Sequence, residues 1–479
     1  MSRAGGIRTL LAVDLGTQSL RVSALGSDGS RLWSWGAPVE SEVAGERFEQ
    51  SPAHWRALLD AALDEAAKAG IRPDAVTAAG PLAGYVALDG DGTPLTQAAM
   101  YTDSRSLPDV ARVATAFGAQ ARYRPLISDP WPHWLRLCRE QPEIAARTRH
   151  FVDATGWLSF HLSGCATLNA YTALRLGPAD AEARLGLSPA EAPRFGRPVA
   201  IGETIAPLAA GLAGRFGGGT IPVIAATFDS KCAYLGSGIA QPGEALDISG
   251  TVTSFGLASA APVDDPAQRV YSVPFGAAWL LRGSTAAAGS TLEWARRTLL
   301  RDADFAAIDA AAASVAPGAE GLSFLPYLAG ERTPWWKPRA RGALLGLGLD
   351  TGQAAIARAV YEGLAFSLAH IVATIGEGGA APREIRLAGG LARNDLLAQI
   401  KADVLGVPLV RLADHELTTL GLAAIACVGL GLQPDHATAA AGFTRAERRF
   451  LPDLAAAAAY APAFARYRAF AQALLPTFD

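Results

Sequence analysis

Several short segments of this chain carry residues suited to handling phosphate. The first is Asp14-Leu15-Gly16-Thr17-Gln18-Ser19, set between two β-like runs. A strand–turn–strand with glycine and hydroxyl residues aims backbone N–H groups into one concavity that suits phosphate oxygens. An aspartate at the strand end can hold Mg²⁺, directly or through water. The same residues also read as a plain Asp/Gly hairpin. Asp247-Ile248-Ser249-Gly250-Thr251 echoes the motif in the second half, with one residue more between aspartate and glycine. A third segment ends a strand in Gly389-Gly390 ahead of a helix at Asn394. Two glycines there let backbone approach a flat or anionic ligand, or simply make a tight turn. The spacing is not that of a dinucleotide fingerprint. The chain contains no Gly-Lys dipeptide, which excludes a P-loop.

Two further segments suit an acceptor. A buried strand over 221–226 delivers Asp229 to the start of a helix, where a carboxylate can cap the helix. Phosphoryl transfer from ATP needs such a group to orient and deprotonate a hydroxyl. In the run 95–106, Tyr101, Asp103 and Arg105 place polar side chains beside an aromatic ring. That combination suits a polyhydroxylated ligand and also an ordinary charged loop.

The elements that must position these residues alternate strand and helix. The pattern predicts strands over 9–13, 20–25 and 31–39, a helix over 52–69 opened by Ser51-Pro52, and strands over 74–79 and 85–88. A helix follows from Asp229 to 236–238. The second half repeats this order, with strands over 245–250 and 253–258 and helices over 290–300 and 351–375. A strand over 384–387, a helix over 394–405, a strand over 407–411 and a small-residue helix over 417–429 complete it. An α/β chain of 479 residues suggests two or three domains. Gln241-Pro242-Gly243, directly before the second meander, divides it into 1–243 and 244–479.

A net charge of −3 gives no electrostatic reason for a nucleic-acid partner. Lys68, Lys231, Lys337 and Lys401 are the only lysines, so no polybasic membrane patch exists. No uninterrupted apolar stretch is long enough to span a bilayer. Cys138, Cys165, Cys232 and Cys427 are scattered, without metal-site spacing, which points to a reducing, cytoplasmic setting.

Residues 321–349 read GLSFLPYLAGERTPWWKPRARGALLGLGL. An apolar strand at Leu322, Phe324 and Leu325 breaks at Pro326, Glu331-Arg332 precedes Thr333-Pro334, and two tryptophans sit in a basic loop. With the segments above in this order, and with Glu46-Arg47-Phe48-Glu49-Gln50 and Trp55, the chain resembles the FGGY carbohydrate kinases over about residues 9–430. The resemblance implies two actin-like (ribonuclease H-like) domains flanking a deep nucleotide/sugar cleft. It implies ATP and Mg²⁺ as cofactors, Asp229 as general base and Asp14 at the metal. Gly16, Thr17, Gln18, Gly250 and Thr251 would hold phosphates, and Gly389, Gly390 and Asn394 would lie along the adenosine. Tyr101, Asp103, Arg105, Leu82 and Ala83 would meet a small sugar or polyol, a pentulose such as xylulose or ribulose. Dimers are common in that family.

Three departures concern the sugar. Xylulose kinases of the family carry Gly-Gln-Met-His-Gly where this chain has Gly80-Pro81-Leu82-Ala83-Gly84. Tyr101 replaces the usual Trp, and a lysine expected near Trp134-Leu135 is missing. The Arg-Glu pair of glycerol kinases is not apparent either. A hexulose or other polyol, or a sugar-binding regulator without catalysis, are the alternatives.

Overall fold

A computed structural model of the chain describes residues 6–118, 124–276 and 278–478. They form two compact units: Met1–Gly238 with Glu416–Phe443, and Ile239–His415 with Thr444–Asp479.

The first unit opens with the expected meander, β1 (Thr9–Leu15), β2 (Ser19–Gly26) and β3 (Arg31–Pro38), followed by β4 (Ser41–Ala44) and β5 (Arg47–Gln50). Its other strands are β6 (Ala75–Ala79), β7 (Ala83–Leu88), β8 (Ala98–Met100), β9 (His150–Val152), β10 (Thr167–Asn169), β11 (Arg197–Val199), β12 (Thr204–Pro207) and β13 (Pro222–Ile224). The main sheet runs β12-β13-β6-β1-β2-β3, with β13, β6 and β1 parallel. A second sheet runs β4-β5-β8-β7-β9. Against the main sheet the helix Pro52–Lys68 buries Trp55, Leu59, Ala62, Leu63 and Ala66, one apolar stripe at helical spacing. Ser51 caps it by accepting from His54 N–H at 3.3 Å.

The second unit repeats the plan. Its strands are β14 (Glu244–Ser249), β15 (Thr253–Ser259), β16 (Tyr271–Phe275), β17 (Ala278–Ser284), β18 (Ser323–Leu325), β19 (Ala343–Leu345), β20 (Glu384–Ala388), β21 (Leu409–Leu412) and β22 (Ala446–Phe450). The sheet order is β16-β17-β15-β14-β20-β21-β22, with β14, β20 and β21 parallel. In both units an antiparallel meander therefore continues into parallel strands joined by helices. The helix Gln353–Gly376 is long and apolar enough for a membrane by length and composition, yet 83% of its apolar window is buried within the protein. It is the core helix of this unit, and the ion pair Arg358–Glu362, at 2.8 Å, is buried with it.

One expectation needs correcting. The division at Gly243 assigned 416–443 to the second domain, whereas these residues pack with the first unit. The reason is a close helix–helix contact built on glycine. The helix Leu417–Gly429 lies against the helix Asp229–Gly236, and a Cβ at Gly421 would sit 1.9 Å from the Cys232 carbonyl oxygen. A Cβ at Gly236 would meet the Leu417 carbonyl oxygen at the same distance. Only glycine permits that approach.

Candidate active site

In the first unit, three parallel strands end side by side. Asp14 is the penultimate residue of β1, β6 leads into Gly80, and β13 leads through Ala225–Phe228 to Asp229, the first residue of the helix Asp229–Gly236. In open α/β sheets, ligands gather outside the carboxyl ends of such strands. Asp229 N–H donates to the Gly80 carbonyl at 2.9 Å, and Gly80 N–H donates to Thr155 Oγ1 at 3.0 Å. Phe228, not Asp229, occupies the cap position, and the Asp229 carboxylate accepts from Ser230 N–H at 2.5 Å. Asp14 is 4% exposed. Burial, first, and the Asp229 charge, second, push its carboxyl up to about 7, against a partial pull from Arg21. A buried carboxylate, Asp14, and a half-buried one, Asp229, thus share one edge.

The turn after Asp14 closes through Gly16 N–H to the Ser19 carbonyl at 2.9 Å, so this glycine's own amide is spent within the hairpin. Thr17 and Gln18 form the tip. The Thr17 carbonyl accepts from Gln50 Nε2 at 2.8 Å, and Gln50 Oε1 accepts from Trp55 Nε1 at 3.0 Å. Gln50 is the brace that the sequence reading lacked. It sits in a segment already marked by family resemblance, but only the fold reveals its contact.

The expected sugar residues separate into two sets. Ala83 opens β7 opposite Met100, so Leu82, Ala83 and Tyr101 lie on neighbouring strand ends. Ala83 is buried, with φ of 67°. Tyr101 is 37% exposed and packs edge-on against Phe48 at 6.0 Å. Asp103 differs: it is fully buried, and its oxygens accept from Phe48 N–H, Arg105 N–H and the Arg105 guanidinium. It holds Arg105, which also donates to Glu49 at 2.5 Å.

In the second unit the β14–β15 turn closes through Gly250 N–H to the Val252 carbonyl at 2.9 Å. Gly289 N–H donates to the Gly250 carbonyl and Ala288 N–H to the Thr251 carbonyl, both at 2.8 Å, which ties the turn to the start of the helix Gly289–Thr298. Gly389 follows β20 with φ of 83°, and a Cβ there would lie 2.5 Å from the Ser249 carbonyl oxygen. Glycine is thus required for β20 to end against the hairpin, while the space around Gly250 and Gly390 is open. Asn394 spends its side chain structurally. It caps the helix Asp395–Leu405 by accepting from Leu397 N–H at 2.7 Å, and it donates to Asp309 at 2.9 Å and Tyr361 at 3.2 Å.

Asp247 accepts from Lys401 Nζ at 2.6 Å, with Ser249 Oγ 3.1 Å from the same ammonium; both charged side chains are buried. In the sequence Lys401 stands out only as one of four lysines. The Glu331 of the GERTP run is buried too. It accepts from Ala286 N–H at 3.0 Å and Arg332 N–H at 2.7 Å, and burial pushes its carboxyl up to about 7.

The duplicated α/β plan and the paired hairpins define an actin-like two-domain protein of the kind that handles nucleotide phosphates. The profile of the FGGY family of carbohydrate kinases, C-terminal domain, matches residues 246–430. A glycerol kinase from a Geobacter species is 30% identical over 480 residues, covering 93% of this chain and 94% of its own. A xylulose kinase of Staphylococcus epidermidis is 27% identical over 469 residues, covering 93% and 92%. The crystal structure of a xylulose kinase from Rhodospirillum rubrum, 26% identical, superposes with a TM-score of 0.88 over 98% of this chain and 100% of that one. This chain belongs to the FGGY family of carbohydrate kinases. It is therefore an enzyme, a phosphotransferase with an alcohol group as acceptor, and its family uses ATP.

Proposed function

We propose that the chain phosphorylates a hydroxyl of a small sugar or polyol with ATP, and that a pentulose such as xylulose or ribulose is its substrate. The observation that carries this reading is the Asp14–Asp229 edge in the first unit. Asp229 takes the proton of the accepting hydroxyl, the usual role of a base in kinase chemistry. Leu82, Ala83 and Tyr101 meet the sugar, with Asp103 fixing Arg105 behind them. Gly16, Thr17 and Gln18 in one unit and Gly250 and Thr251 in the other attend the phosphates, and Gly389, Gly390 and Asn394 the adenosine. The reaction is set in the cytoplasm, in keeping with four free cysteines.

The first unit's acids fit Mg²⁺. Two carboxylates on one edge, one of them held near neutrality by the other and by burial, gain from a divalent cation between them. Among the described residues no group of three or more metal-ligating side chains exists. Magnesium suits that scarcity, because it binds through one or two carboxylates with phosphate and water. When bound, it supplies neutralisation of phosphate charge.

The similar relatives include both xylulose and glycerol kinases, so a hexulose or another polyol is the competing substrate class. An ADP-release assay over pentuloses, hexuloses, glycerol and other polyols tests this. The expected result is the highest kcat/KM with a pentulose; a hexulose or glycerol at least ten-fold better would replace it.

A further inference from the structure

The first unit holds a cavity of about 560 Å³, within the range of small-molecule sites. It lies where the second sheet faces the helix Pro130–Glu140. Of the residues placed at the sugar only Arg105 lines it; Asp14, Asp229, Leu82, Ala83 and Tyr101 do not. Its charged lining is three guanidinium groups, Arg47, Arg105 and Arg136, against the single carboxylate of Glu49.

Arg136 is 93% buried by its 7% exposure, and only its far end is paired, Nη1 donating to Glu140 at 3.1 Å. Its Nε–H is buried without a hydrogen-bond partner. One turn earlier, His133 is 1% exposed. Its Nδ1 lies 3.3 Å from Ser106 Oγ, and its Nε2 is buried without a partner, with the Ile127 backbone also against the ring. Burial and the neighbouring Arg136 charge push the imidazole down to about 3, so the ring is neutral. Native interiors leave few donors unsatisfied, and those that remain beside a cavity call for an acceptor from outside the chain. Ser51, Thr96 and Gln97 add hydroxyl and amide groups to the lining, partners suited to sugar hydroxyls.

We propose that this cavity binds a small anionic sugar derivative, whose phosphate ester or carboxylate accepts from Arg136 while its hydroxyls meet Ser51, Thr96 and Gln97. The inference stands apart from the choice of phosphoryl acceptor, because neither Asp229 nor the phosphate hairpins take part.

Isothermal titration calorimetry on the full chain tests it, with ribose 5-phosphate, glucuronate and inorganic phosphate as probes and ribose as the neutral control. Saturable binding of at least one anionic sugar, with ribose silent, is the expected result. Ribose 5-phosphate alone identifies a phosphate site, and glucuronate alone a carboxylate site. Arg136→Gln weakens that binding on the order of 10- to 100-fold, as loss of a charged hydrogen bond does. Ala53→Trp changes an exposed residue of the lining and obstructs the cavity without disturbing the core, so it decides the matter if Arg136→Gln does not fold. Sugar-dependent ATP turnover stays unchanged in both variants. No saturable binding at millimolar probe, equal binding of ribose, or an affinity unaltered by Ala53→Trp would each overturn the proposal.

Discussion

The two hairpins look alike in sequence and differ in what their aspartates face. Asp14 faces a second carboxylate, Asp229, and is held near neutrality. Asp247 faces an ammonium, Lys401 at 2.6 Å, and is fully buried with it. The extra residue between Asp247 and Gly250 explains the difference. Side chains alternate along a strand, so a shift of one position relative to the turn sends the carboxylate to the opposite face. Asp14 points where Asp229 is, whereas Asp247 points toward the helix Asp395–Leu405. Ile248 takes the position equivalent to Asp14 and is only partly buried. One acidic residue is thus left buried beside like charge, at a cost in stability, and the other is a strut. Repulsion kept in one unit and neutralised in the other is the pattern expected when only the first must meet a cation or a reacting proton.

Breaking the strut should have the largest effect. Lys401→Met leaves Asp247 buried and uncompensated, and we expect a loss of about 3–5 kcal/mol in chemical denaturation. Adding Asp247→Leu to that variant should restore stability to within roughly 1 kcal/mol of the parent, because an apolar pair of similar volume replaces a buried ion pair without penalty. A double variant as unstable as the single one would show that the pair is not what holds the hairpin.

Glu331 sharpens the contrast within the second unit, since backbone amides rather than an ammonium attend it. Its folded-state pKa of about 7 lies above the ordinary 4.5. Between those values the folded state holds a proton that the unfolded state has released. Its contribution is therefore complete below pH 4.5 and lost as pH rises to 7, by roughly 3 kcal/mol. Comparing denaturation midpoints of the parent and Glu331→Gln from pH 5 to pH 8 isolates this term. The stability difference between them should shift by that amount in favour of the glutamine variant, and parallel profiles would refute it.

The smallest effect reverses the sign. Without divalent cation, Asp14→Asn should stabilise the protein by about 1–2 kcal/mol, as removal of a functional repulsion does. The same change should depress turnover at limiting Mg²⁺. A destabilised Asp14→Asn would place Asp14 among the struts and dissolve the distinction.

Much of this architecture could be read from the chain because its signals are local. Apolar runs bounded by Gly and Asp marked β1, β2, β14 and β15, and Ser51-Pro52 marked a helix start, each within a residue or two of the observed elements. What escaped reading is long-range. Nothing near Leu417 announces that its helix returns to pack on residues around 232–236. Lys401 and Asp247 stand 154 positions apart, and Gln50 finds the Thr17 carbonyl 33 positions away. Asp103 and Asn394 were visible as polar residues in the right segments. Only burial and partners reveal that their side chains are occupied by Phe48 and Arg105 in one case, and by a helix cap in the other. β16 and β17 were not anticipated, since their strands mix Pro, Arg and Gly with apolar residues.

The central claim is that Asp229 removes the acceptor's proton. Single-turnover phosphorylation by Asp229→Asn, with ATP affinity measured in parallel, tests it most directly. The account predicts a rate lower by ~10²-fold or more with nucleotide binding retained; a rate within a few-fold of the parent would contradict it.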